Sequence, residues 1–355
     1  MPIPLPITFL IDLLTLFGLF AIISMSLNLE FGYAGIPNFG KMLAVAGGAF
    51  FVGAVPGRVI AYMLDVPTSL DFFRNNLEVV SLVNQALASN PIISTLYLLA
   101  SLAGAALAGA ALGYIASYPG IRLRGDYLAM TLLAMAEVLR VIGDNWEPLI
   151  GGSLGVRIPD PFRWVGGEYR SLSVALTILG VTAAMFVYLE LVSKSPLGRT
   201  LKAVRDEELS ARVYGKDVDR LRVKTLIVGC AIAAVSGALY SFLTASVSAR
   251  DFNRVTHTFW PWVMVLVGGA GNNLGAVVGA GIFVTLRRLI TFYKSYFEAI
   301  VPFDVVWLEY MLLGLALILV LLYRPEGLLP ERPTRTLKRG DILRVISRMK
   351  RKEEN

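Results

Sequence analysis

The feature that most constrains this chain is a series of long stretches almost free of charge, beginning with "ITFLIDLLTLFGLFAIISMSLNL" (7–29). A helix rises about 1.5 Å per residue, so roughly 20 apolar residues match the ~30 Å hydrocarbon core of a bilayer. By that ruler the sequence predicts spans at 7–29, 38–56, 92–116, 126–142, 171–192, 224–246 and 307–323, with two further segments at 259–269 and 274–290. Segment 259–269 is too short for a straight crossing. It is expected to be broken or re-entrant, a form that survives in lipid only against protein or a wet cavity. The expected fold class is an all-α polytopic membrane protein with about 8–9 transmembrane helices. Composition agrees: 55% of the residues are hydrophobic and 17% charged, where soluble domains carry about 25% charged residues. Residues 1–323 are expected to form a transmembrane domain and 324–355 a basic tail.

The first stretch, "MPIPLPITFLIDLLTLFGLF", has no basic residue before Lys41, unlike a secretory signal, and is read as a retained helix. Basic residues then orient the spans, because short cytoplasmic loops collect Lys and Arg. The loop between the fifth and sixth spans, 193–223 with its flanks, carries Lys194, Arg199, Lys202, Arg205, Arg212, Lys216, Arg220, Arg222 and Lys224 against five acidic residues. This loop and the tail ending "RVISRMKRKEEN" are assigned to the cytoplasm, as is "YPGIRLRGD" (118–126). Segments 57–91, 144–170 and 247–258 and the amino terminus then face outward. Nine crossings satisfy these assignments, with Arg287, Arg288 and Lys294 awkwardly near an outer loop. A net charge of +7 in such a chain points to anionic lipid at the cytoplasmic face, not to nucleic acid.

One stretch imitates a nucleotide site. "GIPNFGKM" (35–42) differs from the phosphate-binding loop G-x-x-x-x-G-K-[ST] only at Met42. That loop works after a strand in an α/β domain, whereas these residues lie between apolar spans. Pro37 lacks the N–H a phosphate cradle uses, and Met42 cannot ligate magnesium. No ATPase chemistry is assigned. The surrounding Gly and Ala let helices approach closely in lipid, and Gly35 and Pro37 are expected to interrupt the chain before the second span.

Few residues offer chemistry. Cys230 is the only cysteine and His257 the only histidine, so neither an intramolecular disulfide nor a zinc site of several such ligands is possible. No catalytic or metal-ligating residues are assigned. Trp260 and Trp262 suit an interfacial belt. Glu137 and Arg140, three apart in a span, share a helix face and are expected to form an ion pair or to line a path. Lys41 is expected to reach the inner headgroups, and Asp12 and Glu190 sit near span ends. "RTLKAVRDEELSARVYG" (199–215) reads as one helix with Leu201, Val204, Leu209 and Val213 near one face, stopped by a left-handed Gly215. On spacing alone it is an amphipathic connector on the membrane surface.

Five stretches together resemble the LivM-like family of permease subunits of branched-chain amino-acid ABC importers. They are "SLNLEFGYAGIPNFG" (26–40), "IRLRGDYLAMTLLAMAEVLRVIGDNW" with "GGSLGV" (121–156), "SPLGRTLKAVRDEELSARVYGKDVDRLRVKTL" (195–226), "VLVGGAGNNLGAVVGAGI" (265–282) and "YRPEGLL" (323–329). The resemblance implies an ABC importer permease fold with a cytoplasmic coupling helix. Glu208, Ala211, Arg212 and Gly215 would carry the docking of an ATPase. It further implies ABC ATPase subunits that bind ATP and Mg, a second, LivH-like permease and an external substrate-binding protein, with no cofactor in this chain. Candidates for the translocation path are Gly35, Asn38, Lys41, Glu137, Arg140, Gly151 and Gly152. Lys41, Ile150 and Ala276 stand where the family commonly has His or Gln, Thr, and Pro. The implied cargo is a branched-chain amino acid, with other amino acids, urea or short amides as the alternative. Two other classes are an ion-coupled secondary transporter, which would show intramembrane ionisable clusters, and an intramembrane enzyme, for which no catalytic constellation is found. The expected location is the cell (inner, cytoplasmic) membrane.

Overall fold

The computed structural model describes residues 5–64, 72–123, 125–167, 169–293 and 305–331. Lys294 and the tail from 332 onward lie outside the described residues. Among the described residues, six helices are long and apolar enough to cross a membrane. They are α1 (Leu5–Leu27) with the π-helical turn Asn28–Tyr33, α2 (Lys41–Ala54) continued by α3 (Pro56–Met63), α5 (Pro91–Arg122), α8 (Arg170–Lys194), α11 (Val218–Thr244) and α13 (Asn273–Phe292). Three further expected spans appear as α6 (Gly125–Asn145), the segment Val255–Gly268 containing α12 (Trp260–Gly268), and α14 (Val305–Tyr323). Asp126, Glu137, Arg140 and Asp144 make α6 less apolar than its length suggests.

The two ends of the bundle differ. At one end the segments expected to share a side meet each other. β1 (Val156–Arg157) pairs antiparallel with β2 (Ser246–Val247), Asn76 Nδ2 donates to the Arg157 carbonyl at 3.1 Å, and Arg250 reaches Asp144 at 3.4 Å. We call this the ribbon end. Segment 57–91, assigned from sequence only to the outer side, contains most of α3 and all of α4 (Asn76–Ser89), and the ribbon was not expected at all. Both α4 and the ribbon are too short or too mixed in polarity to stand out against the spans. At the opposite, basic end, Lys202 pairs with Glu331 at 2.7 Å, so loop 193–223 and the segment after α14 share one side.

The centre is built on small residues. α11 crosses α2 so closely that a Cβ on Gly237 would stand 1.8 Å from the Val45 carbonyl oxygen, and one on Gly48 2.0 Å from that of Ala234. Such backbone approach is how helices gain contact in lipid, where no hydrophobic force separates helix from tail.

The hairpin of α12 and α13 runs the full depth of the bundle. It begins beside Arg250 and His257 at the ribbon end, and its loop carries Gly271 against Arg205 and Glu331 at the basic end. The short segment Val255–Gly268 rises only about 21 Å as helix, and backbone from elsewhere completes it. Leu328 and Leu329 donate their N–H groups to the carbonyls of Val267 and Gly268, both at 2.9 Å. The "YRPEGLL" stretch thus satisfies the open carbonyls at the end of α12, as interrupted backbone at membrane depth requires.

Candidate translocation and coupling site

The interruption between α1 and α2 is a buried polar junction. After α1 the chain winds through the π-helical turn Asn28–Tyr33, leaves helical geometry over residues 34–40, and restarts at Lys41. Lys41 does not reach toward headgroups: its side chain and that of Glu30 are both 0% exposed, and Nζ stands 2.8 Å from Glu30 Oε1. Asn38 Nδ2 donates to the other carboxylate oxygen at 2.9 Å. Burial at this depth leaves no aqueous route for the Lys41 stem, so the ammonium takes the nearest carboxylate. The second interrupted element closes the junction. Asn28 Nδ2 donates to Asn273 Oδ1 at 3.1 Å, Gly271 N donates to Asn28 Oδ1 at 2.8 Å, and Trp262 Nε1 donates to the Asn38 carbonyl at 3.2 Å. Each break therefore supplies the polar partners that the other lacks in lipid.

Trp260 and Trp262 are buried and form no belt. Trp262 stacks on Phe39 with centroids 4.4 Å apart, and Trp260 lies under the Arg287 guanidinium at 4.0 Å. An indole can anchor an interface or donate inside a core, and here the carbonyl of Asn38 and the junction rings claim it.

The basic loop is not one helix. α9 (Pro196–Asp206) ends at Glu207, whose backbone is extended (φ −153°, ψ 99°) and whose carboxylate accepts from Leu209 N at 3.3 Å. α10 (Glu208–Val213) then starts in a new direction. The break alters the expected face: Leu201 and Val204 are buried, but Leu209 and Val213 are 70% and 78% exposed. Ala211 packs inward instead, against Val204, Val218 and Leu221. Gly215 has φ +74°, Lys216 N donates to the Ala211 carbonyl, and Gly215 N donates to that of Arg212, both at 3.0 Å. This is the Schellman pattern, in which a left-handed residue closes the helix. Glu208 is held between Arg212 (3.1 Å) and Arg222 (3.0 Å), and Arg212 also meets Asp219 at 2.7 Å.

Loop and junction are joined by Arg205, which nothing in the linear sequence singles out from its basic neighbours. Its guanidinium donates to the Gly32 carbonyl within the π-helical turn and pairs with Glu331 at 2.8 Å and Asp206 at 2.8 Å. Gly35 lies directly under it, with a virtual Cβ 2.9 Å from Arg205 Cγ. Of the candidate path residues, Gly35, Asn38 and Lys41 come together here. Glu137 and Arg140 do not: they pair on the outer side of α6, 38% and 31% exposed, with Arg140 Nε 2.9 Å from Glu137 Oε1. Gly151 and Gly152 sit at the ribbon end, where φ of +77° and +60° shapes the turn after α7 (Glu147–Ile150).

Apolar helices spanning a bundle, two interrupted elements sealed against each other and a basic surface hairpin bolted to them define a multi-pass membrane protein. The comparisons narrow this class. A family described as the branched-chain amino acid transport system / permease component matches residues 9–321. The chain is 40% identical over 329 residues to the probable branched-chain amino acid transport permease protein LivM of Methanocaldococcus jannaschii, covering 91% of this chain and 95% of that one. It is 28% identical over 261 residues to the high-affinity branched-chain amino acid transport system permease protein LivM of Escherichia coli, with 66% of this chain and 58% of that one covered. It is 25% identical over 240 residues to the corresponding LivH of Escherichia coli, over 65% of this chain and 73% of that one. No solved structure matches it. The chain belongs to the family of permease components of branched-chain amino acid transport systems.

Proposed function

We propose that this chain forms half of an ATP-driven import path for leucine, isoleucine and valine, and that α9 and α10 are the docking point of an ATPase subunit. The carrying observation is Arg205: one side chain of the surface hairpin holds both Glu331 and the Gly32 carbonyl of the interrupted segment. Displacement of the hairpin by a closing ATPase would thereby move the junction. The outward surface of α10, with exposed Leu209, Val213 and Tyr214, offers the apolar knob such docking needs. ATP and magnesium belong to the partner. A second, LivH-like permease supplies the other half, and an external binding protein delivers cargo at the ribbon end. Glu137 and Arg140 support this division: a charged pair half-exposed on a span is expensive against lipid, so that side of α6 meets protein or the path.

Reconstituted transporter tests the reading. In Gly215→Val a β-branched residue is forced to positive φ, a strain of about 1–3 kcal/mol, and Arg205→Gln cuts the link to Gly32. Both variants are expected to insert normally yet lose leucine uptake by about tenfold or more, with the ATPase detached or hydrolysing without transport. Wild-type uptake in both, at matched complex content, would remove the coupling role.

The proposed orientation makes the basic end cytoplasmic and the amino terminus external. A single cysteine at Lys216 in a Cys230→Ser background is then expected to resist an impermeant thiol reagent in intact cells and to react in inverted vesicles. Reaction from outside would invert the topology.

A further inference from the structure

A separate cavity of about 410 Å³ opens between α1, α11, α13 and the segment before α12, away from the Glu30–Lys41 junction. Its size falls within the ~300–1,000 Å³ of small-molecule sites. Leu19, Phe20 and Ile23 of α1 supply an apolar floor, while Asp251, His257 and Arg288 line the polar part. His257 is only 4% exposed, and its Nδ1 has no hydrogen-bond partner among the described residues. The Arg288 Nε is likewise buried without one. Two residues that line one cavity thus each carry a buried polar atom without a partner among the described residues, and because such groups are nearly always satisfied they point to a ligand.

The charges indicate which ligand. Arg287 spends its guanidinium on the Trp260 ring at 4.0 Å, and Arg250 is engaged by Asp144 at 3.4 Å. That leaves the guanidinium of Arg288 and the carboxylate of Asp251 as one cation and one anion facing the same space. Partial burial pushes the Asp251 carboxyl above its ordinary range, the direction a ligand ammonium would reverse. We infer that this cavity is a binding site within the chain for a zwitterionic aliphatic amino acid, its carboxylate toward Arg288, its ammonium toward Asp251 and its branched side chain on the α1 floor. The inference rests on the reading of the chain as a branched-chain amino acid permease and names where such a cargo would pause. It also accounts for Arg288, awkward in a linear count of loops: it serves a polar cavity rather than lipid.

The test uses the complete reconstituted transporter and competition by leucine, leucinamide (no carboxylate) and 4-methylpentanoate (no ammonium). If the wild type imports no branched-chain amino acid, the functional reading itself fails. If it does, Arg288→Gln and Asp251→Asn are each expected to raise the KM for leucine roughly 10- to 100-fold. The selectivity should split by ligand end. Arg288→Gln should erase the preference for leucine over leucinamide while keeping that over 4-methylpentanoate, and Asp251→Asn should do the reverse. Wild-type KM and selectivity in both variants, or equal losses against all three compounds, would overturn the site. Should a variant fail to assemble, radiolabelled leucine binding to the wild-type complex in nanodiscs without binding protein decides. Saturable binding weakened by both analogues less than by leucine supports the site, and no saturable binding up to about 10 mM overturns it.

Discussion

Replacing Lys41 by methionine is expected to cost about 3–5 kcal/mol of stability, the usual penalty for removing one partner of a buried ion pair. Glu30 would remain fully enclosed, with Asn38 and the weak thiol of Cys230 as the remaining hydrogen-bond partners of its carboxylate among the described residues. The junction would then have to admit water, neutralise the carboxyl or open. Pairing the change with Glu30→Gln removes both charges while the Gln carbonyl can still accept from Asn38. The double variant is expected to recover most of the loss, because replacing a whole buried pair is often neutral or better. Thermal unfolding of the detergent-solubilised chain, followed by size-exclusion fluorescence, gives the comparison. A single variant as stable as the double would mean that the pair contributes nothing as a pair.

Gly237→Ala should be worse still, although it adds one methyl group. The new Cβ would lie 1.8 Å from the Val45 carbonyl oxygen and 2.8 Å from its carbon, so the obstacle is backbone and no rotamer change relieves it. α2 and α11 must separate, which also disturbs the reciprocal contact of Gly48 with Ala234. Overpacking of a core typically costs about 1–3 kcal/mol when side chains can yield; here they cannot, and little folded protein is expected in a membrane extract. Gly180 on α8 is the control. No described residue comes within 4 Å of a Cβ built on it, so Gly180→Ala should be tolerated and gain up to about 1 kcal/mol of helix propensity. Equal yields of the two variants would refute the close-contact account.

These two sites differ in how visible they are in the sequence. The Gly- and Ala-rich composition around 32–54 announces close packing, but not that Gly48 and Gly237 meet the opposite backbone. Lys41 reads as a residue near a span end, and its partner Glu30 sits eleven residues away across a non-helical break. Because the break folds the chain back on itself, linear spacing could not pair them. Likewise Asp206, Glu207 and Glu208 contain no Gly or Pro to signal that the helix stops at 206. Gly215 was legible for the opposite reason: ending a helix with positive φ is a local demand that mainly glycine meets.

The sequence by itself determined the apolar spans and the helix stop at Gly215. A run of apolar residues has a transfer free energy summed along the chain, and a cap depends only on its own backbone, so neither needs a distant partner. Only the tertiary structure decided that Lys41 meets Glu30, that Trp262 donates to Asn38, that Arg205 ties the surface hairpin to Gly32 and that Arg288 faces the cavity of Asp251 and His257. In lipid the backbone of an interrupted helix must find hydrogen-bond partners within the protein, and which ones it finds depends on which helices lie side by side. Asn28 finds Asn273, 245 residues away, a choice made in space and not along the chain.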